Sequence, residues 1–174
     1  MGLRMAVFIA LLRAVNVGGT GKLPMAVLKE LCERAGCTQV RTYIASGNVV
    51  FCSTKSEARI KAALEAHLLE YAGKPIRVLV RTHAEMMALL GANPFTKTAP
   101  NRTMAIFLDE APAANTIESA AGRRDEEIAL GVREIYVHYG DGMASSKLKI
   151  KAAEAGTARN MNTIAKLVEI AKAL

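Results

Sequence analysis

The chain has 174 residues, 51% of them apolar and 22% charged, which excludes wholesale disorder and allows a core without a metal or disulfide staple. Its 23 basic against 16 acidic residues give a formal charge of +7, which favours anionic partners. No apolar run nears the ~20 residues that span a bilayer, and residues 5–12 lead straight into Arg13 with no small-residue cleavage site, so the sequence reads as cytoplasmic with no membrane partner.

Residues 5–12 form a short apolar run bounded by polar residues, which predicts a buried central strand. A glycine-rich loop follows, from Asn16 to Lys22. Pro24 suits the first turn of a helix, Leu28, Leu31 and Cys32 give that helix an apolar stripe, and Gly36 stops it. Residues 40–44 and 48–51 are β-rich and flank Ser46-Gly47-Asn48, a hairpin signal. Ile60, Leu64, His67, Leu68 and Tyr71 recur at helical spacing up to Gly73, and Ile76, Val78 and Val80 alternate as a strand. The predicted order is β-α-β-β-α-β, which is ferredoxin-like.

The second half opens with a helix over 83–91 and a loop holding Asn93-Pro94-Phe95. A strand over 104–108, a helix over 112–121 and a hairpin of 127–130 with 134–139 follow. Gly140 and Gly142 lead to one or two C-terminal helices, the last with Ile164, Leu167, Val168 and Ala171 on one face. The fold class is α+β, with two related subdomains, 1–82 and 83–174, packed together. The second half has the makings of a permuted copy of the first, although no sequence repeat accompanies it.

Cys32, Cys37 and Cys52 form no CxxC pair, and His67, His83 and His138 stand far apart, so no metal site is expected and the thiols read as free and mostly buried. The loop from Asn16, with Gly18 and Gly19, joins a strand to a helix N-terminus, where free amides and the helix dipole favour an anion. Arg13 and Lys22 flank it. It matches neither the phosphate-loop nor the dinucleotide pattern, because Leu23 and Pro24 stand at defining positions, and a tight turn is the plainer reading.

Arg41, Tyr43, Ser46 and Asn48 crowd one hairpin, with Phe51, Arg77 and Arg81 placed to join the same sheet. Such a face either stacks bases and holds phosphate or packs against the second half. Ser146 and Lys149 have a serine-nucleophile spacing without its companion motifs, so Ser145 or Ser146 reads better as a helix cap. Arg159 and Asn160 precede the last helix, with Asn160 or Asn162 as its cap.

The segments 10–19, 23–25, 40–51, 93–95 and 157–163 together resemble the bacterial family catalogued as domain of unknown function 1697. The likeness runs in order along essentially the whole chain. It implies an α+β fold of two related subdomains and no established activity or cofactor. The family usually has glycine at Ala14, threonine at Ala158 and tryptophan at Met161.

The first functional reading is a protein that binds a small anionic ligand, phosphorylated or nucleotide-like. Arg13, Asn16, Gly18, Gly19 and Lys22 would hold it, with Ser46, Asn48, Arg159 and Asn160 converging on the same cleft. The alternatives are a nucleic-acid-binding module on the basic sheet face and an enzyme acting on a phosphorylated metabolite. The residues form no convincing triad, metal site or carboxylate pair, and they name neither a cofactor nor an oligomeric state.

Overall fold

The computed structural model describes residues 4–17, 22–140 and 142–174. The chain divides into two compact units, Met1–Met86 with Leu167–Leu174, and Met87–Lys166.

The first unit holds β1 (Ala6–Leu12), α1 (Met25–Arg34), β2 (Thr38–Tyr43), β3 (Asn48–Ser53), α2 (Glu57–Ala72) and β4 (Val78–Thr82). The β-α-β-β-α-β order expected from the sequence is the order found. The strands pair antiparallel in the order β2-β3-β1-β4. The central strands β1 and β3 carry the longest buried runs, while the edge strand β2 is mostly exposed or half-buried.

Both helices follow from local chemistry. Pro24 is the N-cap of α1, and Leu28, Leu31 and Cys32 are its buried stripe. The Ser56 side chain caps α2 by accepting from the Arg59 N–H, and Gly73 at φ 70° ends it. Ile60, Leu64 and Leu68, four residues apart, bury one face of α2. These helices share a core with Ala10, Val49, Phe51 and Val80, one side of the sheet.

The second unit holds β5 (Thr103–Phe107), β6 (Glu127–Leu130), β7 (Glu134–His138) and β8 (Thr157–Asn160). They pair antiparallel in the order β6-β7-β5-β8. Taken in chain order, this repeats β2-β3-β1-β4 strand for strand. The second half is therefore a direct repeat in its strand order, and the permutation expected from the sequence is corrected. Each fourth strand leads straight into a helix: α3 (His83–Gly91) after β4, α4 (Met161–Lys172) after β8. The unit boundaries fall within these two helices.

Two expectations fail in the second unit. Residues 114–119 form turns in place of the helix predicted over 112–121. There the Thr116 hydroxyl donates to the Ala113 carbonyl and the Ser119 hydroxyl to the Thr116 carbonyl, a local competition with helix hydrogen bonding. In the C-terminal region, short 3-10 turns at Met143–Ser145 and Lys151–Ala155 are followed by β8, a strand the sequence does not announce. Thr157-Ala158-Arg159-Asn160 lacks a β-branched run, and its two buried positions are Thr157 and Arg159.

Candidate functional site

The end of β1 and the β2–β3 turn are built into one another. Ala14 and Asn16 both take positive φ, 55° each. The Asn16 Oδ1 accepts from the Leu23 N–H at 2.6 Å, and its Nδ2 donates to the Leu23 carbonyl at 2.8 Å and the Ala45 carbonyl at 2.8 Å. One amide therefore closes the glycine-rich loop at its base and ties it to the hairpin. Gly18 and Gly19 lie outside the described residues.

The hairpin turn is as tightly specified. Asn48 is fully buried, and its Nδ2 donates to the Tyr43 carbonyl and the Ser46 hydroxyl, both at 2.9 Å. Gly47, at φ 88°, leaves room for β1: a Cβ there would lie 2.6 Å from Val15 Cγ2 and 2.9 Å from Leu12 Cβ. Its carbonyl accepts the Leu12 N–H at 2.9 Å. The structure thus brings together the two longest motifs of the sequence. Asn16, Ser46 and Asn48 spend these hydrogen bonds on the backbone and on one another.

Beside this assembly lies a cleft of about 370 Å³, lined by Ala14, Val15, Lys22, Leu23, Tyr71, Ala72, Lys74 and Ile76. Its size falls in the range of small-molecule sites. Lys22, Tyr71 and Lys74 are exposed and supply polar groups, while Val15, Leu23 and Ile76 are buried apolar wall. Leu23 immediately precedes the Pro24 N-cap of α1, whose first turn has no acidic residue and no side-chain cap bond. The positive end of that helix is therefore not offset by its own side chains. Exposed Arg13 is held to β4's approach by its N–H, which donates to the Arg77 carbonyl at 2.9 Å.

Tyr71 and Lys74 escape a sequence-based site reading, because they come from the far end of α2 and the turn after it, about fifty residues from the loop. The signal that could have found them is the helix stop Gly73 followed by Lys74-Pro75, a basic turn.

The sheet-face expectation is corrected at Phe51. Arg41 pairs with Val50 and Tyr43 with Asn48. Strand alternation then sends Phe51 to the helix side, where it stacks on Phe8 with ring centroids 6.1 Å apart. Arg81 is 1% exposed, whereas Arg41 and Arg77 reach solvent.

Arg159 and Asn160 belong to the second unit. Arg159 is buried, and burial pushes its guanidinium down to about 10. Its Nη1 donates to the Thr157 hydroxyl at 2.7 Å and the Ala158 carbonyl at 2.9 Å. Asn160 caps α4, its Oδ1 accepting the Thr163 N–H at 2.9 Å. The first unit repeats the device. Arg81 donates to the Val80 carbonyl at 3.0 Å, and Thr82 caps α3 through a reciprocal pair of bonds with Glu85. Met161 is buried at the start of α4 and fills core space.

Ser146 caps no helix start; it closes the 3-10 turn at Met143–Ser145 and donates to Glu126 Oε1 at 2.6 Å, while accepting from the Leu148 N–H. Glu126 also accepts from the Arg124 N–H, and that bond, with the Ser146 bond, holds its carboxyl below the usual range. The serine thus faces a weakened base and works as a turn latch. Among the described residues no cluster of three or more metal-ligating side chains exists, and no helix is long and apolar enough to cross a membrane.

The chain is similar to the conserved bacterial protein SP0830 from Streptococcus pneumoniae, at 25% identity and a TM-score of 0.80, covering 97% of this chain and 99% of that one. No curated protein matches. The family model described as "Protein of unknown function (DUF1697)" matches residues 5–136, and the chain belongs to that family.

Proposed function

We propose that the protein binds a small anionic ligand, phosphorylated or carboxylated, in the cleft of the first unit. The observation that carries this reading is the presence of Lys22 and Lys74 on one cleft with apolar walls, next in sequence to the acid-free N-terminus of α1. Two ammonium groups attract an anion, and the apolar wall accepts the body attached to it. In this reading Arg13 adds charge from the neighbouring loop. Asn16, Ser46 and Asn48 act by shaping the loop and turn, without touching the ligand.

The test is a thermal-shift and equilibrium-dialysis series with inorganic phosphate, small phosphorylated compounds and small carboxylates. A ligand at a hundredfold excess over its Kd would add about 2.7 kcal/mol to stability. Stabilisation that saturates and disappears in the Lys22→Ala/Lys74→Ala double variant supports the reading. Binding that the double variant leaves intact, or no stabilisation by any anion of the series, defeats it.

A further inference from the structure

The loop that carries Asn93-Pro94-Phe95 packs within its own unit, the second. Asn93 Oδ1 accepts the Phe95 N–H at 3.0 Å, which sets the loop's first turn. The Phe95 ring lies against the His138 imidazole, with centroids 6.1 Å apart. Thr98 and Thr103 then link the same loop to the same histidine. The Thr98 hydroxyl donates to the Phe95 carbonyl at 2.7 Å. Thr98 Oγ1 and Thr103 Oγ1 are 3.1 Å apart, and Thr103 Oγ1 and His138 Nδ1 are 3.2 Å apart.

Counting protons fixes the direction of this chain. A hydroxyl has one hydrogen to donate. A carbonyl can only accept, so Thr98 spends its hydrogen on Phe95. Thr98 therefore accepts from Thr103. Thr103, its own hydrogen spent, must accept from His138. Nδ1 carries the proton, and the neutral imidazole presents its lone pair at Nε2. Thr103 is fully buried, so water does not compete for these bonds. His138 itself is half-buried at the end of β7.

Directly opposite His138 on β6 stands Glu127, which is exposed. Side chains opposed across an antiparallel pair share a face, with Cβ atoms about 5 Å apart. An imidazole nitrogen whose ring is oriented by its other N–H, beside a carboxylate, is a donor pair for borderline-soft divalent metals. The nitrogen donor disfavours calcium and magnesium, which take oxygen.

We propose that His138 and Glu127 form a two-ligand site for a divalent transition-metal ion, with the Phe95–Thr98–Thr103 chain as its positioning support. Water fills the remaining coordination positions. The Asn93-Pro94-Phe95 segment thereby fixes which nitrogen of His138 is available.

The experiment uses untagged, full-length protein and Ni²⁺ or Zn²⁺ alone as the probe. Nitrogen-15 NMR of the histidine rings reads the tautomer first. The expected state of His138 is Nδ1–H, and an Nε2–H ring in the free protein overturns the proposal. Metal titration should then give a saturable shift at His138, lost in His138→Gln and weakened in Glu127→Gln. Thr103→Val, close in shape but unable to hydrogen-bond, should weaken metal binding about 10- to 100-fold. Thr103→Ser keeps the hydroxyl and should restore it, which separates the hydrogen-bond chain from packing. No saturable binding, binding that survives His138→Gln, or equal affinities for Thr103→Val and Thr103→Ser overturns the proposal.

Discussion

Asn16 holds both backbone polar groups of Leu23, accepting its N–H at 2.6 Å and donating to its carbonyl at 2.8 Å. A third bond, to the Ala45 carbonyl, carries the same side chain across to the hairpin. The residue also sits at φ 55°, which asparagine tolerates better than alanine. Asn16→Ala removes three bonds and adds backbone strain. It should destabilise the protein by about 2–4 kcal/mol in urea unfolding. Asn16→Gly removes the same bonds without the strain, so it should fall about 1 kcal/mol short of the alanine loss. Equal losses would show that backbone conformation does not matter at this position.

Ala14 presents the opposite case. It adopts φ 55° with a Cβ and with no amide side chain to offset the strain. Ala14→Gly should stabilise the protein by about 0.5–1 kcal/mol, the relief of left-handed strain less the added chain entropy. A shift in the urea midpoint at unchanged slope checks it.

Gly47 has no such latitude. A methyl group would meet Val15 and Leu12 well inside van der Waals contact, at φ 88°. Gly47→Ala should cost about 2–5 kcal/mol from overpacking and strain combined. The β1 end and the hairpin turn should loosen together, read as lost amide protection at Leu12, whose N–H is bonded to Gly47.

Stability should fall on the alkaline side. Burial pushes the Tyr136 phenol from 10.0 up to about 12 and the Cys37 thiol from 9.0 up to about 11. The folded state therefore holds protons that the unfolded state has released. Each group's contribution is complete below its ordinary value and is lost as pH rises through its folded value. The loss begins near pH 9 with Cys37 and extends to about 12 with Tyr136. Tyr136→Phe should flatten the upper part of that profile. It also removes the 2.6 Å bond to the Leu89 carbonyl, so the variant should be less stable at neutral pH by about 1 kcal/mol. An unchanged profile above about pH 10 would contradict the assignment.

All three cysteines are buried and free, and burial pushes the Cys32 thiol up as well. The thiolate is the reactive form, so iodoacetamide should alkylate the native protein slowly at about pH 8 and all three positions in urea. Mass spectrometry of the modified protein distinguishes the two states.

Local chemistry alone specified a good part of this protein. The apolar run of β1, the Ser46-Gly47-Asn48 turn and the fourfold spacing of Ile60, Leu64 and Leu68 each name their own element. The glycine stops at Gly36 and Gly73 mark helix ends, as Pro24 marks a beginning. Two sequence motifs around Asn16 and Asn48 are visible as polar, glycine-containing loops. Their roles are not, because the bond from Asn16 to Ala45 joins residues twenty-nine apart in the chain.

The tertiary structure decided what depends on pairing. The register of β2 on β3 sent Phe51 to the helix side and left Val50 beside Arg41. Pairing with β5 made a strand of Thr157-Ala158-Arg159-Asn160, whose composition signals none. The direct repeat of strand order between the units became visible only once the sheets were assembled. The direction of the hydrogen bonds from His138 to Phe95 follows from groups on three separate segments. Short-range patterns record which residues are buried and how the backbone turns; they carry no record of which distant strand or loop each residue will meet, because that choice is made by packing the whole chain.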